Sequence, residues 1–447
     1  MTTIAGQTIS SFDQNRALGA NTIAFTACFA VWIIFSIIGV QIKENLGLTE
    51  TQFGLLVAMP ILTGSISRLF LGIWSEMYGG RIVFMAQMLL TAAATWSLAS
   101  ATTYPMFVLA ALGLGLAGGS FIIGVSYVSK WFPKEKQGVA LGIFGIGNLG
   151  AALTNFGAPI LMVAVGWEQT ARIYAIVLVI IAVFFWLVTK TDPVTLERRK
   201  TGAKSPSLMQ QLKPLGEMQV WRFSFYYFVT FGAFVALASW LPRYYVAVYG
   251  LDIQMAGLMA ASFSLPAALF RALGGWLADK HGARHVLYAT FIPAIICTFF
   301  LSYPPTQYVV EGITGPIEFS FAIEIVPFAV LMMVLGFFMS LGMAATYKHI
   351  PVYYPEHVGS VGGLVGMLGG LGGFFLPITF GMLNDMMNVW TSCFMLLYGL
   401  LVVAFIWMHA VVRRMERRNV PGLIEIGRMI ELKIADTIKP DSEGKKL

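Results

Sequence analysis

Long continuous apolar runs, separated by short polar segments, fill most of the chain. A hydrocarbon core about 30 Å thick takes about 20 helical residues at about 1.5 Å each. Twelve runs reach that length: Thr22–Ile42, Phe53–Trp74, Val83–Thr102, Pro105–Ser129, Val139–Val165, Ala171–Thr189, Trp221–Leu241, Met255–Ala278, Val286–Tyr303, Ala322–Tyr347, Gly359–Leu383 and Val389–Val412. Barrel strands would alternate over about ten residues, and these runs do not. The first run is long, follows a polar leader and lacks an A-x-A site, so it reads as a span and not as a cleaved signal. The pattern predicts an all-α membrane protein of twelve transmembrane helices.

The longest internal polar stretch, residues 190–220, carries Glu197-Arg198-Arg199-Lys200, Lys204 and Lys213, with Pro206 and Pro214. It reads as a cytoplasmic linker between two six-helix bundles, residues 1–189 and 221–412, and leaves residues 413–447 as a tail. With both termini inside, the outer loops hold only Lys43, Arg172 and Arg243; Arg68 and Arg271 fall within spans, and every other Lys and Arg lies on the inner side. That bias predicts a multi-pass protein of the inner (plasma) membrane with both termini cytoplasmic. In the tail, apolar residues from Leu423 to Leu432 recur at three- and four-residue spacing among acids and bases. An amphipathic helix on the inner face and a disordered tail both fit.

Composition agrees with this picture and narrows the function. Of the 447 residues, 57% are hydrophobic and 11% charged, against about 25% charged in soluble proteins. Soluble enzymes, nucleic-acid binders and disordered scaffolds are excluded. The net charge of +7 follows from the basic inner loops. Cys28, Cys297 and Cys393 all lie in apolar stretches and form no CxxC pair, so neither a disulfide framework nor a metal site is expected. No cofactor loop or nucleophile–base pair is visible, so no cofactor and no catalytic residue are assigned.

The two halves repeat each other. The second span ends Arg68-Leu-Phe-Leu-Gly72-Ile-Trp-Ser-Glu76-Met-Tyr-Gly79-Gly-Arg81, and the eighth ends Arg271-Ala-Leu-Gly-Gly275-Trp-Leu-Ala-Asp279-Lys-His-Gly282-Ala-Arg284. One ungapped shift of 203 aligns Arg with Arg, Gly with Gly, acid with acid, Gly with Gly and Arg with Arg. Parallel six-span repeats are the architecture of carriers that rock two halves about a midplane site. The motif G-x-x-x-[DE]-x-x-G-x-R resembles the signature of the major facilitator superfamily. The resemblance implies the major facilitator fold and a cytoplasmic latch made by Glu76 and Asp279, which can cap or pair with a neighbouring helix end, while Arg81 and Arg284 stay at headgroup level.

Arg68 and Arg271 each precede their exit acid by eight residues, about 12 Å along a helix. That depth is close to mid-membrane, where an arginine costs a few kcal/mol or more and marks function by default. No carboxylate lies at the same level in the sequence. A purely structural alternative would have each guanidinium bonded to backbone carbonyls. Two cations from two halves, with aromatics around them, predict a site for a small planar anion matched to the guanidinium fork. Bulkier or more highly charged substrates would ask for further Lys or Arg.

The fifth span carries Gly142, Gly145, Gly147, Asn148 and Gly150, and the eleventh carries Gly359, Gly362, Gly363, Gly366, Gly369, Gly370, Gly372 and Gly373. Such spacing lets helix backbones approach each other, or a ligand, closely. Near the arginines, these runs could slide during rocking and expose amides or Asn148 to the ligand. The stretch Gly118-Gly119-Ser120-Phe121, then Trp131-Phe132-Pro133-Lys134-Glu135-Lys136-Gln137-Gly138 and Gly147-Asn148, resembles the first signature of the nitrate/nitrite porter family. The stretch Tyr347-Lys348-His349-Ile350-Pro351 through Gly373-Phe374-Phe375 is similar to the second. The resemblance covers nearly the whole chain. It implies Arg68 and Arg271 as paired substrate arginines, with Phe121, Tyr227 and Phe231 sandwiching nitrate or nitrite. The first glycine run departs from the family pattern at Ala151-Ala152, Phe144 and Ile146.

Lys348 and His349 sit at the inner end of the tenth span and are expected to face lipid phosphates, with a part in gating or proton movement as the alternative. Exchange of nitrate for nitrite is the expected mode, because an empty, doubly cationic site resists reorientation. Proton-coupled nitrate uptake, carriage of oxalate or formate on the same fold, and an anion sensor that does not transport remain as alternatives.

Overall fold

The computed structural model describes residues 2–4, 7–48, 50–203 and 207–418. The tail expectation, residues 419–447, lies outside the described residues. Among the described residues, twelve helices are long and apolar enough to cross a membrane: α1 (Ser11–Gly39), α2 (Leu55–Tyr78), α3 (Gly80–Leu98), α4 (Tyr104–Ser129), α5 (Lys134–Thr154), α6 (Ile160–Val188), α7 (Met218–Tyr249), α8 (Met255–His281), α9 (Ala283–Leu301), α10 (Ile325–Tyr353), α11 (Val358–Met387) and α12 (Ser392–Met415). Helical structure continues from Gly150 to Val188 except at Gly166, whose φ of 82° and ψ of 165° break the helix. The break at Gly166 falls inside the range given for α6, between Val165 and Ala171, where the sequence predicts the boundary between its fifth and sixth runs.

The spans are joined tightly at one end. Gly79, between α2 and α3, and Gly282, between α8 and α9, take matching left-handed-side conformations with φ of 93° and 85°. A side chain there would be strained, so the motif glycine is fixed by the turn. A short helix, Pro193–Thr201, follows α6. Its Asp192 N-cap accepts from the Thr195 amide. Arg198 and Arg199 donate to the last carbonyls of α2, at Glu76, Met77 and Tyr78. Cations at a helix C-terminus satisfy orphan carbonyls and oppose the helix dipole.

Among the described residues, two short strand pairs accompany the helices. β1 (Thr2–Ile4) pairs with β2 (Gln7–Ile9) at the N-terminus. β3 (Thr306–Gly312) pairs antiparallel with β4 (Gly315–Phe321) between α9 and α10. The second hairpin occupies a segment that the apolar pattern leaves as a plain outer loop.

Candidate substrate site and the latch beside it

Arg68 on α2 and Arg271 on α8 are both about 1% exposed, among the largest fully buried side chains of the protein. Neither faces lipid. Among the described residues neither is paired with a carboxylate. The ring of Phe121 on α4 lies within 5.9 Å of the Arg68 guanidinium carbon and 5.1 Å of that of Arg271. One aromatic ring is therefore shared by both cations. Phe231 on α7 lies 4.9 Å from Arg68 and stacks on Tyr227 at 4.9 Å. Tyr227 in turn stacks parallel to Phe121 at 6.4 Å. The sequence-predicted residues Arg68, Arg271, Phe121, Tyr227 and Phe231 form one cluster.

The two arginines differ in how they are held. Arg68 Nε donates to the Gly118 carbonyl at 2.9 Å, and Nη1 donates to the Gly366 carbonyl at 2.8 Å. The first acceptor lies in the 3-10 turn Gly115–Gly119 of α4, the second across the bundle on α11. Arg271 has a single long contact, from Nη2 to the Tyr227 hydroxyl at 3.4 Å. Its Nε and Nη1 are buried and have no hydrogen-bond partner among the described residues. Buried charged donors without acceptors are costly and rare. The carbonyl-bonded alternative thus describes Arg68 and fails for Arg271.

Helix geometry departs from α around this cluster. The 3-10 turn Ile146–Leu149 interrupts α5, and a π turn, Phe228–Gly232, interrupts α7. Such turns collect at functional sites. Asn148 in the first is 2% exposed, and its amide N and O are both unpartnered. It lies three residues beyond Gly145, where an added Cβ would come 2.6 Å from Arg271 Nε. An added Cβ at Gly366 would meet the Tyr347 hydroxyl first and Arg68 at 3.1 Å, and one at Gly370 would meet Ser65 first and Arg68 at 3.4 Å; Gly369 packs on the Tyr227 ring and Gly147 on the Phe25 ring.

Two ring systems in the cluster carry no assignment from sequence. Tyr347 on α10 meets Phe121 edge-on at 4.8 Å and Tyr227 at 4.7 Å, and its hydroxyl donates to the Gly362 carbonyl. Trp32 on α1 lies 5.5 Å from Arg68 and donates to the Pro60 carbonyl. Tyr347 stood within a family motif, and that was its only signal. Trp32 gave none, because one aromatic among many in apolar runs is not distinguished by spacing.

The exit motifs meet the opposite repeat. Asp279 on α8 accepts from the Gly138 and Val139 amides at 2.9 and 2.7 Å, in the first turn of the helix Gln137–Gly145 of α5. Glu76 on α2 accepts from the Gly359 amide at 3.0 Å, in the first turn of α11. Each acid caps a helix N-terminus, where orphan amides and the dipole favour a negative charge. Each also pairs with a lysine: Glu76 with Lys130 at 2.8 Å and Asp279 with Lys348 at 2.5 Å. Ser126 adds a bond to Glu76. Burial works against the charge of Lys130, but Glu76 and Asp192 outweigh it, and its pKa lies above the usual lysine value.

Lys348 therefore does not face lipid phosphates. It is about 5% exposed and held by Asp279 and the Lys134 carbonyl. His349 is 3% exposed and stacks flat on Phe223. The tenth span continues as helix to Tyr353, which draws both side chains into the bundle. Arg81 lies over the Trp186 ring at 4.0 Å, and Arg284 donates to the Tyr353 hydroxyl.

Asp279→Asn should lower stability by about 3–5 kcal/mol, because Lys348 is left as a buried charge without a counterion. Thermal unfolding in detergent would measure it. Adding Lys348→Met to Asp279→Asn should recover part of the loss; a further fall would contradict the pairing argument.

A bundle of helices around two buried cations, with an acid of each half capping a helix of the other at one end, has the construction of a membrane carrier. The profile of the Major Facilitator Superfamily matches residues 21–313 and 249–435. A Thermus thermophilus protein named "Probable nitrate/nitrite antiporter NarK1" is 40% identical over 426 residues, covering 92% of this chain and 94% of that protein. A Bacillus subtilis protein named "Nitrite extrusion protein" is 31% identical, covering 89% and 95%. The solved fucose:proton symporter of E. coli superposes with a TM-score of 0.66 at 17% identity, covering 90% of this chain and 99% of that one, which shows the fold. The chain belongs to the major facilitator superfamily and, within it, to the nitrate/nitrite porters. It is a multi-pass membrane transporter and not an enzyme.

Proposed function

We propose that the protein moves nitrate and nitrite across the inner membrane by alternating access, exchanging one for the other, with both termini cytoplasmic and the latch at the cytoplasmic end. The observation that carries the reading is the pair of buried, unpartnered nitrogens on Arg271 beside a ring shared with Arg68. Each edge of a guanidinium pairs Nη2 with Nε or with Nη1, and Nη2 keeps a second N–H beyond its contact with Tyr227, so one edge is left from which a planar oxyanion can accept two parallel N–H bonds, and rings beside it favour a flat, weakly hydrated guest. The named relatives supply the candidates nitrate and nitrite. The Lys and Arg bias of the loops supports the orientation.

Occupancy would drive closure because the anion screens the repulsion between the two cations; a ligand shifts the equilibrium only by binding the closed form better. The same repulsion disfavours reorientation of the empty site, which supports exchange. The lack of an ion-paired carboxylate at either arginine, among the described residues, supports exchange over proton coupling.

Purified protein in sealed vesicles should take up labelled nitrate only when nitrite or nitrate is inside, and an imposed pH gradient should not replace internal anion. Uptake into anion-free vesicles driven by a pH gradient alone would overturn exchange. Excess formate and oxalate should leave uptake unchanged; competition by either would move the substrate class to organic carboxylates.

A further inference from the structure

The β3–β4 hairpin has two unlike faces. Side chains alternate along a strand, and directly paired residues share a face. Register places Thr306, Tyr308 and Val310 opposite Phe321, Phe319 and Ile317. The other face holds Gln307, Val309 and Glu311 opposite Ser320, Glu318 and Pro316. The first face is thus almost wholly apolar, and the second carries both acids. Tyr308 and Phe319 stack at 5.1 Å. Val310, Ile317, Phe319 and Phe321 are nonetheless exposed, each by about half. An isolated two-stranded hairpin with an uncovered apolar face is marginal in water.

The hairpin's root identifies what covers that face. Phe321 meets Tyr303, just beyond α9, edge-on at 5.2 Å. Below it on α9, Phe299, Phe300 and Ile296 are exposed, and on the start of α10 so are Val326 and Val330. These positions lie on helices that cross the membrane, so they face acyl chains. The hairpin leaves α9 and enters α10 beside these positions, at the end opposite the latch. The Tyr249 hydroxyl ties the return segment to α7 by bonding the Ile323 carbonyl.

We propose that the hairpin is an interfacial anchor. Its Tyr308–Val310–Ile317–Phe319–Phe321 face lies in the headgroup and acyl boundary of the leaflet opposite the latch, with Glu311 and Glu318 turned to water. Aromatic rings at this depth match the belt that fixes spans at membrane interfaces, and the acids keep the outer face hydrated. The strand pair is about 20 Å long, enough to lie along the surface and link the α9–α10 corner to the bilayer.

The full-length protein in phosphatidylcholine–phosphatidylglycerol vesicles, carrying one nitroxide at a time, tests this. Ile317→Cys and Phe319→Cys probe the apolar face, and Glu318→Cys and Glu311→Cys the acidic face. The native cysteines are buried and react slowly with the label. Expected is a several-fold higher ratio of oxygen to water-soluble nickel-chelate collisions at positions 317 and 319 than at 318 and 311, unchanged as lipid is added. Equal ratios on the two faces would overturn the anchor. Protection of 317 and 319 that disappears on dilution with lipid would also overturn it and assign the face to a second copy of the chain.

Discussion

Arg271→Lys is expected to weaken nitrate binding by at least about 30-fold while leaving thermal stability nearly unchanged. Losing one partner of a buried charged contact costs about 2–5 kcal/mol, and each 1.4 kcal/mol is tenfold in affinity. An ammonium cannot present the parallel Nε and Nη edge that a planar anion accepts. Nor does the change release any carbonyl, since the one hydrogen bond of Arg271 goes to the Tyr227 hydroxyl. Arg68→Lys should behave differently. It removes at least one of the bonds to the Gly118 and Gly366 carbonyls, each worth about 1–3 kcal/mol when a buried group is left unpaired. Binding and melting temperature should then fall together. Calorimetric titration with nitrate and thermal unfolding on both variants separate the roles. Unchanged affinity in Arg271→Lys would remove this site from consideration.

The sequence exposed the parts of this design that violate a one-dimensional expectation. An arginine in an apolar run is conspicuous, and a second at the same offset from a repeated motif is more so; Arg68 and Arg271 were legible for that reason. Gly79 and Gly282 were legible because a fixed turn demands them. Partners across the bundle were not. Nothing in the spacing of Lys130 or Lys348 shows that each returns to an acid of its own repeat, while that acid caps a helix of the other. Lys348 looked like a headgroup residue because the apolar run stops at Tyr347, whereas the helix does not stop there. Burial of a lysine beside an aspartate is a tertiary property. The hairpin had a readable signal, since Ile317-Glu-Phe-Ser-Phe321 alternates after a Gly312-Ile-Thr-Gly315 turn. The twelve-span pattern accounts for the chain without it, and so the segment passes as a loop. The asymmetry between the arginines had no signal at all. It arises from where the carbonyls of Gly118 and Gly366 fall in space.

Gly275→Ala should hold the latch end open and suppress transport. A Cβ at Gly275 would come 1.9 Å from the Gly138 carbonyl oxygen, and one at Gly72 would come 2.1 Å from that of Gly359. Both obstacles are backbone, so no side-chain rotation relieves them. The two glycines bring α8 against α5 and α2 against α11 beside the capping acids. Forcing those helices apart also lengthens the bonds from Asp279 to the Gly138 and Val139 amides. Overpacking of one methyl costs about 1–3 kcal/mol, which shifts the closed-to-open ratio at that end by roughly 5- to 150-fold. Exchange needs both ends to close in turn, so the rate falls with the lost population even though the substrate site is untouched. Spin labels at Lys136→Cys and Lys280→Cys, on the two sides of this contact, should show a longer distance distribution in Gly275→Ala than in the parent. Nitrate affinity should survive while counterflow drops, and Gly72→Ala should match it in size because the repeat places the same contact on the other side. An unchanged distance distribution with unchanged counterflow would mean that these helices do not need to touch during the cycle, and the capping acids would then be ordinary helix ends.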